Sequence, residues 1–302
     1  MILAKHDELA KTNRASGKNH ERDGAMSYAL RCDGSRPVDP SAIDPAGEKS
    51  MQKGDGEATL HALAKELGSL QELLFAANTD ALLIVLQGMD TSGKDGVIRH
   101  VLTDMNPQGV HVWSFKVPTE LERAHDFLWR HQLQAPPLSM VAVFNRSYYE
   151  AVIVERVKGI ASPAVVESRY PHINSYELLL TQSRTIVAKF FFHISKEVQE
   201  ERLLARQAEV EKAWKLSVGD WVERERWDDY MAAYQAAISA TSTPEAPWFV
   251  VPSDRKWYRN LAVAEALVEL LRPHRDGWLA TLRDRGDREL AALREAGFLR
   301  ES

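Results

Sequence analysis

The sequence predicts an α/β fold in which helices flank a five-stranded parallel sheet. Residues 82–87 read LLIVLQ, an uncharged run in which five of six residues are aliphatic, as in a parallel strand buried on both faces. A glycine-rich turn follows this run, and the residues after the turn have helical spacing. Further apolar runs alternate with helical segments along the chain, which is typical of a parallel sheet.

The other elements are predicted from the same two periodicities. Before the first strand, apolar residues recur with a period of about 3.6 over residues 57–77, which predicts an amphipathic helix. Four further strands are predicted, over residues 110–115, 140–144, 185–194 and 248–251. Helices are predicted over residues 120–131, 174–182, 220–240 and 254–271. Ser253 is expected to cap the last of these helices.

The chain is predicted to hold one large domain between two tails. Residues 1–27 are polar and have few large apolar side chains, so they are expected to form a disordered tail. Residues 28–275 carry all the predicted strands and form the domain, beginning with an irregular, proline-containing arm. Residues 276–302 are charged and are expected to form a helical tail.

Composition excludes several functional classes. The net charge of −5 argues against a nucleic-acid partner held by a strong positive field. The single cysteine, Cys32, allows no intrachain disulfide and fits a reducing compartment. No apolar run approaches the roughly 20 residues of a membrane helix, and the N-terminus lacks the apolar core of a signal peptide. A cytoplasmic protein without a membrane or nucleic-acid partner is therefore expected.

The turn after the first strand has the pattern of a phosphate-binding loop, G-x-x-x-x-G-K, known as a Walker A motif. Backbone N–H groups of such a loop, together with the N-terminus of the following helix, hold phosphate oxygens. Lys94 adds a positive charge. The loop residues expected to bind phosphate are Gly88, Ser92, Gly93, Asp95 and Gly96.

Two carboxylates distinguish this loop from the common form. Asp95 follows the lysine where Ser or Thr usually ligates Mg²⁺, and Asp90 lies inside the loop. Carboxylates beside bound phosphate repel it unless a cation or a transferable proton intervenes. The loop therefore favours a kinase with its own carboxylate arrangement over a GTPase switch.

Basic residues follow the other predicted strands, at the sheet edge where ligands of α/β proteins bind. Lys116 ends the second strand, and Arg146, after Asn145, can clamp phosphate bidentately. Arg255, Lys256 and Arg259 lie in the first two turns of a predicted helix, so their charges oppose the helix dipole unless an anion is bound. Solvated basic turns are the alternative interpretation of each.

A further basic segment follows the fourth predicted strand and contains Arg202, Arg206, Lys212 and Lys215. Such a segment can close over reacting phosphates and exclude water. It can equally be the charged face of an ordinary helix. The residues alone leave both interpretations open.

Several motifs occur in an order that resembles the family-2 polyphosphate kinases, over residues 28–271. They are GMDTSGKDG at 88–96, NPQG at 106–109, SFK at 114–116, HDFLWR at 125–130, FNRS at 144–147, YPHIN at 170–174, KFFFHISK at 189–196, WDDY at 227–230 and SDRKW at 253–257. The resemblance implies a three-layer P-loop kinase fold with a helical lid at about residues 202–220. It implies transfer of the terminal phosphate of inorganic polyphosphate to AMP or ADP, possibly reversibly, with Mg²⁺ or Mn²⁺.

The resemblance also implies roles for individual residues. Asp90 would orient or deprotonate the attacking nucleotide phosphate and help to hold the metal. Lys94 and Arg146 would neutralise the transferred phosphoryl group. Residues expected to bind the polyanion or nucleotide phosphates are Lys116, Arg255 and Lys256, with Arg206 and Lys215 closing from the lid.

Nucleotide binding is assigned by the same resemblance to Arg130, Asn145 and Glu150. The Tyr149–Glu150 ending resembles the subgroup that acts on both AMP and ADP. Asn145 stands where many members have Asp, which moves the metal-binding role toward Asp90. Adenine nucleotides, with guanine nucleotides as a further possibility, and assembly into a homo-oligomer, a dimer or a tetramer, are expected.

Two alternatives stay open at this point. An ATP-dependent nucleotide or small-molecule kinase would share the loop, the sheet and the lid. A non-catalytic protein that binds polyphosphate or nucleotides would share the basic edge, although a pure binder gains nothing from Asp90 inside its phosphate loop. Phosphorylation of AMP by polyphosphate without ATP distinguishes the enzyme of the main hypothesis from both.

Overall fold

The structure is a computed structural model that describes residues 27–208 and 217–299, and it has an α/β fold. A mixed six-stranded sheet has the order β1-β6-β5-β2-β4-β3. The strands are β1 Leu30–Cys32, β2 Ala81–Gln87, β3 Val110–Ser114, β4 Val141–Asn145, β5 Thr185–His193 and β6 Trp248–Pro252. The neighbours from β3 to β6 are parallel, so loops that follow these strands meet at one edge of the sheet.

Helices connect the strands and cover the sheet. They are α1 Lys53–Ala77, α2 Lys94–Val101, α3 Glu120–Arg123, α4 Trp129–Gln132, α5 Val154–Val157, α6 Pro163–Gln182, α7 Lys196–Ala208, α8 Val218–Glu225, α9 Trp227–Thr241, α10 Lys256–Leu271 and α11 Arg275–Glu295. Among the described residues, no helix is both long enough and apolar enough to span a membrane.

The prediction of five parallel strands was wrong in number, because the sheet has a sixth strand. The five parallel strands are present, and β1 adds an antiparallel edge beside β6, with Leu30 opposite Val250 and Cys32 opposite Trp248. A three-residue strand within a proline-containing arm is too short to show an alternating pattern. The arm is therefore part of the sheet rather than only a surface segment.

The predicted helix over residues 120–131 is two short helices. Thr119 forms a capping box with Glu122 at the start of α3. The Asp126 side chain accepts a hydrogen bond from the Leu128 backbone N–H at 2.9 Å, in the irregular turn that separates α3 from α4. Short side-chain bonds of this kind give the backbone an alternative to a continuous helix.

Three further helix boundaries differ from the predictions. The helix predicted at residues 174–182 is α6, which begins at Pro163 after a Ser162 cap and continues through Pro171. The helix predicted at residues 220–240 is α8 and α9, separated at Arg226. Ser253 does not cap α10, because its hydroxyl donates to the Val251 carbonyl at 2.8 Å.

Two apolar layers lie on the two faces of the sheet. The side chains of β2 alternate between them: Leu83 and Val85 pack in the layer formed with α6 and α9, whereas Leu82, Ile84 and Leu86 pack in the layer formed with α1 and α10. All seven residues of β2 are buried, as the uncharged sequence predicts. This double burial fixes the position of the loop that follows β2.

Helix α11 is attached at the opposite end of β2 from that loop. Trp278 is 1% exposed, and its indole N–H donates to the Asp80 carboxylate at 2.7 Å. Burial alone would raise the pKa of Asp80, but hydrogen bonds from Thr79 and Trp278 and the charge of Arg184 hold it below its ordinary value. The Asp80 carboxylate therefore stabilises the fold in its ionised form.

This carboxylate makes stability dependent on pH. A carboxyl group with a lowered folded-state pKa stabilises the fold above its unfolded pKa, about 3.9, and the contribution is lost as the pH falls through the folded value. We expect Asp80→Asn to lower the free energy of unfolding at neutral pH by about 1–3 kcal/mol, with the difference from the parent chain shrinking in acid. Urea denaturation of both proteins between about pH 7 and pH 3 measures this. A difference that stayed constant over that range would contradict the assignment.

Candidate active site

The turn between β2 and α2 has the backbone of a phosphate-binding loop. Gly88 and Gly93 have φ values of 152° and 110°, a region that favours glycine. A Cβ atom on Gly93 would lie 1.7 Å from the Nη1 atom of Arg259, so this position also lacks space for a side chain. The two glycines allow the chain to pass from the buried strand into the N-terminus of α2.

Lys94 lies inside this loop. Its ammonium group donates to the carbonyls of Gly88, at 2.6 Å, and Met89, at 3.2 Å, and the residue is 8% exposed. Burial lowers the pKa of Lys94, as does the positive charge of Arg146, whereas the Asp90 carboxylate acts in the opposite direction. The loop carbonyls thus hold the Lys94 ammonium inside the loop. Its positive charge lies beside the loop amides that can bind an anion.

The remaining loop residues predicted to bind phosphate are Ser92, Asp95 and Gly96. Within the described residues, the Ser92 hydroxyl is buried and has no hydrogen-bond partner. Asp95 is exposed, in the first turn of α2. A Cβ on Gly96 would come within 2.7 Å of Arg259, so the backbone here lies close to that guanidinium.

Asp90, Arg146 and Glu150 come together at the ends of β2 and β4. The Arg146 guanidinium pairs with the Asp90 carboxylate at 2.7 Å through Nη2 and with the Glu150 carboxylate at 3.2 Å through Nη1. These side chains are partly buried, at 32%, 21% and 19% exposure for Arg146, Asp90 and Glu150. Arg146 directly follows β4 with a positive φ, 65°, and its side chain reaches Asp90 of the loop. The structure therefore unites the predicted carboxylate with the predicted phosphate clamp.

The pKa values of Asp90 and Arg146 depend on both burial and the neighbouring charges. Burial alone would raise the pKa of Asp90, but the charges of Lys94, Arg146 and Arg206 together hold it below its ordinary value. Burial would lower the pKa of Arg146, whereas Glu150 and Asp90 raise it well above its ordinary value. Asp90 is thus ionised and Arg146 charged at neutral pH.

Asn145 connects the end of β4 to the start of α2. Its amide N–H donates to the Asp95 carboxylate at 2.9 Å. The bond thus joins two positions where the sequence departs from the common pattern. Asn145 stands in place of an Asp, and Asp95 stands in place of the Ser or Thr that usually follows the loop lysine. The Asn145 side chain is thus hydrogen-bonded to the first turn of α2, directly after the phosphate loop.

Arg130 and Lys116 lie together at the end of β3. The Arg130 guanidinium donates to the Lys116 carbonyl at 2.8 Å, lies 5.3 Å from the Phe115 ring centroid and is 3.6 Å from the Glu122 carboxylate. The Lys116 side chain is exposed. The contacts described for these two residues stay within the β3–α4 region and do not extend to Asp90.

Arg255 and Lys256 have different surroundings at the start of α10. The Arg255 guanidinium donates to the carbonyls of Ala46 and Glu48 and lies 4.9 Å from the ring centroids of Trp257 and Tyr258. Carbonyl oxygens of the arm thus offset the unfavourable interaction of this charge with the helix dipole. Lys256 is exposed.

Helix α7 lies against the phosphate loop. Gln199 donates to the Asp90 carbonyl at 3.3 Å, and Arg202 donates to the Thr91 carbonyl at 3.0 Å. Arg206 pairs with Asp220 of α8 at 2.8 Å. Lys212 and Lys215, predicted in the same segment, lie outside the described residues.

Arg259, predicted with Arg255 and Lys256 to face a bound anion, is instead buried against the backbone of the phosphate loop. It is 3% exposed, its guanidinium donates to the Asn260 side chain, and it lies 3.5 Å from the Ser92 carbonyl. Burial and the charge of Arg202 lower its pKa to about 10. The basic SDRKWYR segment gave no signal to separate this buried arginine from exposed Lys256.

The arrangement can bind one anion at the loop and a second beside it. Backbone amides and Lys94 suit phosphate oxygens at the start of α2. Arg146 lies between this loop and Glu150, so its planar guanidinium can contact a phosphoryl group while Asp90 orients a reacting partner. No covalent nucleophile is required for phosphoryl transfer, which depends mainly on positioning and charge neutralisation.

Comparison with known proteins agrees with this chemistry. The family model described as Polyphosphate kinase 2 (PPK2) matches residues 50–276. The chain is 48% identical over 232 residues to an AMP/ADP-polyphosphate phosphotransferase of Meiothermus ruber, which covers 76% of this chain and 86% of that protein. It is 43% identical over 244 residues to an ADP-polyphosphate phosphotransferase of Rhodopseudomonas palustris, covering 77% and 83%. A crystal structure of polyphosphate kinase 2 from Arthrobacter aurescens TC1 superimposes with a TM-score of 0.74 at 46% identity, over 78% of this chain and 84% of that one.

Proposed function

This chain belongs to the polyphosphate kinase 2 family, and on that premise we propose that it transfers the terminal phosphate of inorganic polyphosphate to AMP, giving ADP, and to ADP, giving ATP. It is a polyphosphate-dependent phosphotransferase. The observation that carries the proposal is the ion-pair group of Asp90, Arg146 and Glu150 beside the Lys94 loop. Acceptance of both AMP and ADP is supported by the similarity to the Meiothermus ruber enzyme.

The proposed reaction assigns complementary roles to the loop and to the end of β4. Loop amides and Lys94 bind the phosphates at the start of α2. Arg146 lies where it can neutralise the charge of the phosphoryl group in transfer. The Asp90 carboxylate, ionised at neutral pH, orients the attacking phosphate oxygen of the nucleotide and can accept its proton. That oxygen bonds to the terminal phosphorus of polyphosphate as the P–O bond to the rest of the chain breaks, and the chain leaves one phosphate shorter.

The fold proposed for this reaction is a P-loop kinase core with a helical lid at about residues 202–220. Arg206 and Asp220 mark the described parts of that segment, and their ion pair joins α7 to α8. The charge of Arg206 also acts on Asp90, which supports a lid that closes toward the reacting phosphates. Lys116 and Lys256, both exposed at the same edge of the sheet, are proposed to contact a longer polyphosphate chain.

Mg²⁺ is proposed as the metal, with Mn²⁺ as a substitute. Among the described residues, no group of three or more His, Cys, Asp or Glu side chains could hold a metal ion alone. Mg²⁺ in kinases needs only one or two carboxylates together with substrate phosphates, so the partly exposed Asp90 carboxylate fits this requirement. When bound, the ion would neutralise phosphate charge.

The function is tested by incubating the protein with polyphosphate, Mg²⁺ and AMP in the absence of ATP. We expect ADP and then ATP to form, because the acceptor is phosphorylated in two steps. Phosphorylation that required ATP as donor would support the conventional kinase, and binding of polyphosphate without any turnover would support the non-catalytic alternative. Parallel reactions with GMP and GDP measure the base preference.

Assembly into a homo-oligomer and residence in the cytoplasm are retained as proposals. The mass of the chain is 34.1 kDa, so a dimer and a tetramer are separated readily by light scattering.

A further inference from the structure

A buried ion pair lies beneath the turn that carries Arg146 and Glu150. Glu177 of α6 and Lys189 of β5 are 1% and 0% exposed, and the Lys189 ammonium is 2.5 Å from the Glu177 carboxylate. Neither residue contacts the phosphate loop in the described contacts. Desolvating two charges is costly, and a well-packed apolar pair can often replace such an ion pair without loss of stability. The pair therefore calls for an explanation other than stability alone.

Every polar group of this pair has a partner. The Lys189 ammonium also donates to the Thr241 carbonyl at 2.6 Å and to the Tyr149 hydroxyl at 3.2 Å, which uses its three N–H bonds. Glu177 accepts from the Tyr148 hydroxyl at 2.7 Å and lies within hydrogen-bond distance, 2.8 Å, of the Tyr149 hydroxyl. Burial and the nearby Glu177 charge raise the pKa of both tyrosines, so both hydroxyls keep their protons. A polar network satisfied to this degree defines one arrangement of the side chains it joins.

The two tyrosines belong to the turn at the end of β4. They begin the 3₁₀ segment Tyr148–Ala151, which Ser147 caps. Arg146 precedes this segment and Glu150 lies within it. Both tyrosine rings are buried and their hydroxyls reach Glu177, whereas the Arg146–Glu150 ion pair is partly exposed. The Glu177–Lys189 pair thus holds the inner face of a turn whose outer face carries the phosphate clamp.

The backbone of this turn needs such support. Arg146 is a non-glycine residue at φ 65°, a conformation that persists only where the surroundings determine it. From outside the turn, the Leu86 carbonyl accepts from the Arg146 backbone N–H at 3.1 Å, and Gln87 donates to the Ser147 hydroxyl at 3.1 Å. From the side of the core, the buried hydroxyls of Tyr148 and Tyr149 hold the turn through their hydrogen bonds.

We propose that Glu177 and Lys189 are positioning residues, which hold the Tyr148–Ala151 turn so that Arg146 and Glu150 face the reacting phosphates. The inference rests on the proposed function, since it assigns a support to the same site. It predicts that loosening the network lowers kcat, because Arg146 acts mainly on the phosphoryl group in transfer. Binding of polyphosphate at the loop should change little.

The test removes one of the two tyrosine hydroxyls that connect the pair to the turn, while both charges remain. In Tyr148→Phe, Glu177 loses one donor and keeps Lys189 and Tyr149. We expect kcat for AMP to fall about tenfold, with the KM for polyphosphate within about twofold of the parent value. Glu177→Gln, if it folds, should show a larger fall in kcat, because Lys189 then loses its counter-charge.

A matched control separates positioning from stability. Trp278→Phe also removes a buried donor from a carboxylate, that of Asp80, but at the opposite end of β2. We expect it to lower the melting temperature with kcat unchanged. If the parent chain is active and Tyr148→Phe behaves like this control, the positioning role is overturned while the proposed function stands. If the parent chain shows no polyphosphate-dependent activity, the proposed function itself fails.

Discussion

Replacing Asp90 with Asn is expected to lower kcat for phosphorylation of AMP by polyphosphate about 10³-fold. Asn has nearly the same shape as Asp but cannot accept a proton, and it loses the negative charge that pairs with Arg146 at 2.7 Å. The affinity for polyphosphate should stay the same or increase, because a carboxylate that repels phosphate has been removed. Initial rates with AMP, together with binding of polyphosphate measured by calorimetry, give both quantities.

The matched control for this variant is Asp55→Asn, which alters an exposed carboxylate in the first turn of α1. It should leave both rate and binding unchanged. If Asp90→Asn retained the parent kcat, the carboxylate would have no part in the chemistry. If both rate and polyphosphate binding were lost, Asp90 would act in organising the loop rather than in the transfer step.

Arg146 is expected to give the second large effect. Arg146→Ala should lower kcat about 10³-fold and Arg146→Lys about 10²-fold, because lysine keeps the charge but cannot reach two partners with one planar group. In the parent chain the guanidinium bridges Asp90 and Glu150 at 2.7 and 3.2 Å. The measurement is kcat with AMP and with ADP at saturating polyphosphate.

Arg184 provides a closely matched control for this series. It also has a positive φ, 68°, and also pairs with a carboxylate, Asp80, at 3.1 Å, but at the opposite end of the sheet. Arg184→Lys should leave kcat unchanged. Equal rates for Arg146→Lys and the parent protein would show that charge alone suffices at position 146, and the bidentate role would be wrong.

Local sequence patterns predicted the elements whose structure is determined by residues close together in the chain. The uncharged run of β2 and the glycines of the loop impose their structures through burial and backbone freedom, so both appear as expected. Strand β1 was missed because its pairing with β6 is a contact between distant parts of the chain. The long start of α6 was missed because a proline, here Pro171, normally argues for a helix end.

In the candidate site too, residues in local motifs were predicted, whereas contacts between residues far apart in the sequence were not. Asp90, Lys94 and Arg146 were selected from motifs at strand ends, and the structure brings them together because parallel strands end at one edge. The sequence did not show which arginines are exposed to solvent and which donate hydrogen bonds to backbone carbonyls. Arg255 bonds the arm and Arg259 supports the loop, and both depend on residues far away in sequence.

The antiparallel strand β1 has a practical consequence for preparing fragments of this protein. The family match begins at residue 50, whereas β1 lies before that point. A recombinant fragment trimmed to the matched segment would uncover the backbone N–H and C=O groups of β6 along Trp248, Phe249 and Val250. An unprotected apolar strand at the margin of a sheet is a template for intermolecular pairing. The same trimming would remove the carbonyls of Ala46 and Glu48, so Arg255 at the start of α10 would lose its hydrogen bonds to the arm.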